Sequence, residues 1–489
     1  MTFIQLNQYA GQFTNKPIPL DQSSPLRDLL TTHPGLRFIR LQWQDYSGLL
    51  RARLVVVQYL LALIATQKPV HIPPIGFHCI ADNNLIPNLD PTGNHHLVPD
   101  WSSLRFLPSA AHPSATVMCG VLATGPARPL DLGLCPRRAL ANIVRHAAKS
   151  FDLHFQVGFE VEFEVFRRAP QADPLKGETL VPASTSLGRF AVDGLRASIA
   201  PLIEEAVHHL LDIGIGIQTM QTEGRRGQYE LSLGPRAPLD AVDELVLVHD
   251  TLKRELEKHD LVVTMAPRPV AQRRQATGQH THISVSKTEL SSNFLAGILG
   301  RLPGICAVCL PFDISYERVQ PYLGGDIVAW GTEDRTVPVR AIRSGHWEIR
   351  CVDATANMYL ALATMLGAGM LGVENAETLR WMDTTVKMET YCREEQHKHK
   401  SNATSNGLSN GKSNVVRVNT TDGVTAEKAE PLPRSLDAAL NMLEKDASEL
   451  DHILDSSVLD HFLRVKRFEQ SSLARKDPEE VRTMLTELF

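Results

Sequence analysis

Four short stretches of this chain set metal-ligand side chains two residues apart, or on either side of a tight bend, with apolar residues between them. They are Glu160-Val161-Glu162, Glu223 followed by Glu230, His280-Thr281-His282, and His346-Trp347-Glu348-Ile349-Arg350. On an extended strand, residues i and i+2 point to one face. Strands of this kind lying side by side would gather carboxylates and imidazoles over one surface. Carboxylates crowded without a cation repel one another or stay protonated, and a divalent ion relieves both. The chain therefore reads as a metal-dependent enzyme. Taken singly, each stretch has a plainer reading: a half-buried strand with a solvated acidic face, a charged hairpin loop, a structural histidine, or a cross-strand ion pair. Gly158 shares the glutamates' face and is expected to leave room near the backbone. Glu164, the third acid in register, is expected to be the solvated one.

Arginine is the second theme. Arg318, Arg335, Arg340, Arg343 and Arg350 fall in a short span. The guanidinium fork grips carboxylates and phosphates in pairs of hydrogen bonds. Acids that hold cations, together with arginines that neutralise equatorial oxygens, are what phosphoryl transfer requires. The chain has no GxxxxGK[ST], so that loop would not cradle a nucleotide.

These residues need strands to carry them. Phe155, Val157, Phe159, Val161, Phe163 and Val165 alternate with polar or small residues, which predicts a strand. Residues 36–56 read as a hairpin turning at Asp45-Tyr-Ser-Gly48, and a strand is expected near Thr116–Leu122. Helical spacing begins at Pro136, a residue suited to a first turn, and recurs over 195–213, 238–258, 292–309 and 354–372. Helices and strands alternate through 132–375, which predicts an α/β or α+β catalytic domain.

The chain has 489 residues, so two domains are the default, with a boundary near Gly125-Pro-Ala-Arg-Pro129. Residues 394–430 are rich in Ser, Asn and Lys and lack periodicity, which predicts a disordered insertion. Helical patterning returns at Pro433. A net charge of -5 gives no sign of nucleic-acid binding. The N-terminus lacks a signal-peptide pattern and the apolar run Leu54–Ala65 is too short to span a bilayer, so neither secretion nor a membrane is expected. Seven scattered cysteines fit a reducing, cytoplasmic compartment better than a disulfide framework, and Cys306-Ala-Val-Cys309 stands alone as a CxxC.

Six motifs in order carry a resemblance. They are Gly158-Phe-Glu-Val-Glu-Phe163, Glu223 through Gly227-Gln-Tyr-Glu230, His280-Thr-His-Ile-Ser284, Ser315-Tyr-Glu-Arg318, Trp330-Gly-Thr-Glu-Asp-Arg335 and Trp347-Glu-Ile-Arg350. Gln44-Asp-Tyr-Ser-Gly-Leu-Leu-Arg-Ala-Arg53 and Val98-Pro-Asp-Trp-Ser-Ser-Leu-Arg-Phe-Leu-Pro108 add to them. Together they resemble the type I glutamine synthetase family, particularly its fungal glutamine-synthetase-like branch. The likeness runs over residues 35–390 and the C-terminal helices.

The resemblance implies an α+β protein: an N-terminal β-grasp domain over 1–128, then a catalytic domain over 129–489 of glutamine synthetase/guanidino-kinase type with a curved antiparallel sheet. It implies that Glu162, Glu223 and Glu230 hold one Mg or Mn ion, and that Glu160, His280 and Glu348 hold a second, nearer the nucleotide. It implies that Arg318 and Arg350 grip the acyl donor, Arg335 and Arg340 contact the transferred phosphate, and His282 and Ser284 line the ATP side. The implied reaction is ATP-dependent amide formation through an acyl phosphate, in a homo-oligomer whose active sites lie between subunits.

Departures from the family pattern shape the substrate expectation. His78 follows Phe77 where the family has an ammonium-binding aspartate. Gln320–Gly325 lacks the flap glutamate, Ile314 and Gln275 stand where the family has asparagine, and His346 replaces an arginine. His78 and Gln275 are thus expected to line an altered substrate pocket. A cage with fewer acids suits ammonium less, so a bulkier amine or an amino acid is expected as acceptor. Two further readings stay open: a non-catalytic relative acting as a regulatory scaffold, and a phosphotransferase that stops at phosphorylation. A metallohydrolase fits the arginine cluster less well.

Overall fold

The computed structural model describes residues 25–489 apart from 88, 90, 91, 108–112, 126, 127, 132, 171–177, 272 and 386–429. The expected insertion at 394–430 lies outside the described residues, save Glu430.

Among the described residues the strands form two sheets. The first holds β1 (Phe38–Gln44), β2 (Leu50–Val56), β3 (Val70–Ile72), β4 (His95–Pro99), β5 (Arg105–Leu107), β6 (Ser114–Gly125) and β7 (Arg128–Asp131). Its main order is β2-β1-β6-β4-β3, with β1 parallel to β6 and the other pairs antiparallel. The hairpin expected at 36–56 is β1–β2. Its turn needs Gly48, whose φ is +87° and whose Cβ would lie 2.3 Å from the Thr355 carbonyl oxygen. The same turn docks this sheet on the rest of the chain. The Asn357 amide donates to the Asp45 carbonyl at 2.9 Å, and the Tyr46 hydroxyl donates to the Leu134 carbonyl at 2.6 Å.

The second sheet holds β8 (Phe155–Pro170), β9 (Glu178–Pro182), β10 (Ile217–Thr222), β11 (Gln228–Leu233), β12 (Leu261–Thr264), β13 (Gln279–Val285), β14 (Trp330–Thr332), β15 (Val339–Arg343) and β16 (His346–Ile349). Its main order is β10-β11-β8-β13-β16-β15-β14. The pairs are antiparallel except β14–β15, which is parallel, so the sheet departs from an all-antiparallel one at that edge.

Helices cover the sheet's apolar face. Pro136–Phe151, Ala200–Asp212, Pro238–Glu257, Ser291–Cys309 and Met358–Glu374 fall where the 3.6-residue spacing placed them, with the first starting on its proline. Ser291–Cys309 and Met358–Glu374 cross closely at glycine. A Cβ on Gly297 would sit 2.2 Å from the Ala368 carbonyl oxygen. The segment Thr288–Cys309 is long and apolar enough to cross a membrane, and 78% of its apolar window is buried inside the fold. It is packed here as a core helix. The lone CxxC lies on it with both thiols buried.

Candidate active site

Register places the acids. β11 sets Glu230 opposite Glu162 of β8, and β10 sets Gln221 opposite Glu230. β13 sets His280 opposite Glu160, and His282 opposite Glu348 of β16. β15 sets Arg340 opposite Glu348. Every pair has the same parity in the pleat, so these side chains share one face.

The result is two adjoining ligand groups. Glu162, Glu223 and Glu230 offer one oxygen each within 4.8 Å of one another, and so do ligand atoms of Glu160, His282 and Glu348. His280 bridges the groups. Its Nδ1 lies 2.9 Å from Glu160 and 3.3 Å from Glu348, and its Nε2 lies 3.9 Å from Glu162. His282 Nε2 is 3.2 Å from Glu160 and its Nδ1 is 3.1 Å from His346 Nε2. The second group thus contains His282, where the resemblance named His280, and His280 lies between the two groups. Ser284 continues the same strand face.

Two unlike electrostatic environments result. Burial pushes the Glu230 carboxyl up to about 9, and the acids Glu160, Glu162, Glu223 and Glu348 add to the rise. Burial, then Glu162, pushes Glu223 up to about 7. At the first group, Glu223 and Glu230 therefore hold protons more tightly than ordinary carboxylates. At the second, burial works against ionisation, yet hydrogen bonds from His280 and His282 hold Glu160 well below the usual carboxylate range. Glu348 is also held low, because His280 and Arg350 outweigh its burial. Burial, with His282 beside it, pushes His346 down to about 4. A buried triad of carboxylates that must take up protons to coexist suits a divalent cation, and the oxygen-rich donor set suits Mg or Mn.

The arginines divide. Arg340 donates to Glu348 at 2.9 Å and also pairs with Glu333, and Arg350 pairs with Glu348. Arg318 is buried and donates to the carbonyls of Val352, at 2.5 Å, and Arg350, at 3.5 Å. Gly278 makes room for it: a Cβ there would lie 2.5 Å from Arg318 Nη2. The Nε atoms of Arg318, Arg340 and Arg350 are buried with no hydrogen-bond partner among the described residues. Arg335 sits exposed in the turn after β14, and Arg343 is exposed at the end of β15.

Three expectations change. Glu164 is buried, not solvated. β11 and β12 flank it in register with Gln228 and Thr264, and Arg273 pairs with it at 3.3 Å. The room expected over Gly158 is taken, since a Cβ there would meet the Leu233 carbonyl oxygen at 3.2 Å. His78 is not brought to the acids. It is buried on the short helix Ile75–His78, with Nδ1 2.9 Å from His461 Nε2 and Nε2 3.0 Å from His95 Nε2. Burial and His461 push it down to about 2, so it is a neutral ring between the first sheet and the C-terminal helices. Gln275 is near the site but engaged. Its side chain accepts from the Arg225 amide at 2.9 Å and donates to the Arg225 carbonyl at 3.1 Å, pinning the β10–β11 turn.

Some neighbours escaped the sequence reading. Gln221 donates to Glu230 at 3.0 Å, and Arg189 pairs with Glu223 at 3.0 Å. Gln221 was detectable, because it continues the i, i+2 spacing backwards from Glu223. Arg189 lies in a loop, and no periodicity marks it.

The family model for the glutamine synthetase catalytic domain matches residues 133–414. The chain belongs to the glutamine synthetase family of ligases. It is 30% identical over 467 residues to the protein fluG of Emericella nidulans, covering 95% of this chain and 50% of that one, so it spans half of that relative's length. It is 27% identical to the gamma-glutamylpolyamine synthetase GlnA3 of Streptomyces coelicolor, over 74% of this chain and 81% of that one. It is also 27% identical to a glutamate–isopropylamine ligase of a Pseudomonas species, over 72% and 80%. The fold matches the GmaS structure in complex with ADP with a TM-score of 0.72 at 23% identity, covering 93% of this chain and 98% of that one.

Proposed function

We propose that this chain is an ATP-dependent carboxylate–amine ligase. It takes glutamate or a close relative as acyl donor and an amine larger than ammonia as acceptor. The observation that carries the reading is the meeting of two acidic ligand groups with three arginines whose buried Nε atoms lack partners. The names of two relatives, a gamma-glutamylpolyamine synthetase and a glutamate–isopropylamine ligase, support a glutamyl donor and a larger amine.

Glu162, Glu223 and Glu230 would hold one Mg or Mn ion, and Glu160, His280 and Glu348, with His282 beside them, a second. Such ions supply charge neutralisation at phosphate oxygens. The chain's own residues do the rest. Arg318 and Arg350 hold the donor's carboxylate. Arg340 and Arg335 face the transferred phosphoryl group, and His282 and Ser284 border the nucleotide. The donor's carboxylate oxygen attacks the γ-phosphorus, and the bond to the ADP oxygen breaks. The amine nitrogen then attacks the acyl carbon, phosphate leaves, and the nitrogen gives up a proton. Burial of the acid row keeps water from the acyl phosphate.

The N-terminal sheet would be the β-grasp domain over 1–128 that completes a neighbour's site in a cytoplasmic homo-oligomer. Hairpin variants that lower activity in mixed oligomers would support this. The ligase reading is tested with donor carboxylate labelled with ¹⁸O. Label is expected in the released phosphate only when ATP, donor and amine are all present. Release without label overturns the acyl phosphate, and ammonia as best acceptor overturns the larger-amine assignment.

A further inference from the structure

Three loops meet beside Glu223, and they carry a charge that the reaction scheme does not use. Residues 183–190, 224–227 and 267–275 contain six arginines, Arg189, Arg225, Arg226, Arg268, Arg273 and Arg274, and no acid, in a chain of net charge -5. Hydrogen bonds tie the loops together. The Arg226 amide donates to the Ser186 carbonyl at 2.7 Å, Arg189 Nε donates to the Glu223 carbonyl at 2.7 Å, and Gln275 clasps the Arg225 backbone.

Half of these guanidinium groups are engaged. Arg268 pairs with Glu317 at 3.2 Å, Arg273 with Glu164 at 3.3 Å, and Arg189 with Glu223 at 3.0 Å. Arg225, Arg226 and Arg274 are exposed, and their side chains have no hydrogen-bond or ion-pair partner among the described residues. Like charges held together without counter-charges repel, and such a patch raises the local concentration of anions. Arg189 also covers the outward side of Glu223, the acid that would otherwise draw in a cationic amine.

We infer that the acceptor is an amine bearing an anionic group, a carboxylate or a phosphate, received by Arg225, Arg226 and Arg274 with Arg189 behind them. This rests on the ligase reading and narrows its acceptor. The nucleophilic nitrogen would point toward the acid row while the anion stays at the rim. Guanidinium pairs with carboxylate or phosphate through two parallel hydrogen bonds, which orients such an amine as well as attracting it.

The test uses the full chain with Mg-ATP and glutamate and measures phosphate release with four amines of similar length. These are β-alanine, O-phosphoethanolamine, propylamine and 1,3-diaminopropane. At least one of the first two is expected to exceed the last two by tenfold or more in kcat/KM, and the winner tells carboxylate from phosphate. In the combined variant Arg225→Ala, Arg226→Asn, Arg274→Ala, the ratio of anionic amine to propylamine is expected to fall at least tenfold, mainly through KM. That ratio is internal to each enzyme, so any loss of folded protein cancels. Propylamine or diaminopropane performing as well as both anionic amines overturns the inference alone, as does a ratio unchanged in the variant. Failure of every amine to elicit phosphate release overturns the ligase reading and this inference with it.

Discussion

Removing divalent cations should make the protein less stable as pH rises, and Glu230 should be the main reason. In the metal-free fold Glu230 is raised to about 9 and Glu223 to about 7. In the unfolded chain both return to an ordinary value near 4.3. The folded state then binds more protons than the unfolded state at neutral pH. Stability is full below the unfolded pKa and is lost as pH rises through the folded pKa values. One extra bound proton gives a slope of about 1.4 kcal/mol per pH unit. From pH 7 to 9 the loss is about 2–3 kcal/mol, most of it from Glu230. For a chain of this length, at roughly 2 cal/mol/K of unfolding entropy per residue, that lowers Tm by about 2–3 °C. Calorimetry of the EDTA-treated protein measures it. Glu230→Gln should remove most of the slope, and saturating Mg should raise the wild-type Tm more at pH 9 than at pH 7, because ion and protons compete for the same oxygens. Identical slopes for wild type and Glu230→Gln would refute the crowded-acid argument.

Other outcomes follow from the same contacts. Arg340→Ala removes one of the cations on buried Glu348; turnover of ATP is expected to fall at least about 100-fold while Mg binding persists, as isothermal titration would show. Lys466→Met strands Glu469, its partner at 2.5 Å with both side chains 1% exposed; a loss of about 3–5 kcal/mol is expected in urea unfolding, and Lys466→Met with Glu469→Leu should recover much of it. Gly297→Val forces side-chain atoms onto the Ala368 carbonyl and should cost about 3 kcal/mol or prevent folding, read by soluble yield and Cm. His78→Ala breaks a buried imidazole chain; it should cost about 1–3 kcal/mol of stability, and denaturant unfolding would reveal an unchanged Cm if His78 were free to face a substrate instead.

Much of the site was readable because it is built on strands. Two-residue spacing states which side chains share a face, and Glu160, Glu162, His280, His282 and Glu348 needed only adjacent strands in the right register to meet. Spacing could not say what covers each end of a strand. Glu164 has the same parity as Glu162, and only the packing of β12 and the Arg273 loop buries it. His78 misled for another reason. Its position after Phe77 matches a family motif, but its surroundings come from His461, 383 residues further along. Contacts of that separation leave no periodic trace. The arginine rim was visible as two Arg-Arg pairs, yet nothing local shows that residues 186, 189, 226 and 275 are neighbours.

The account rests on paired cation sites over the acid row. Soaking crystals with Mn and recording anomalous scattering tests this most directly. Two peaks per chain are predicted, one touching Glu162, Glu223 and Glu230, the other touching Glu160, Glu348 and a histidine of His280-Thr281-His282. No peak at these side chains under saturating Mn, or peaks confined to other surfaces, would contradict it.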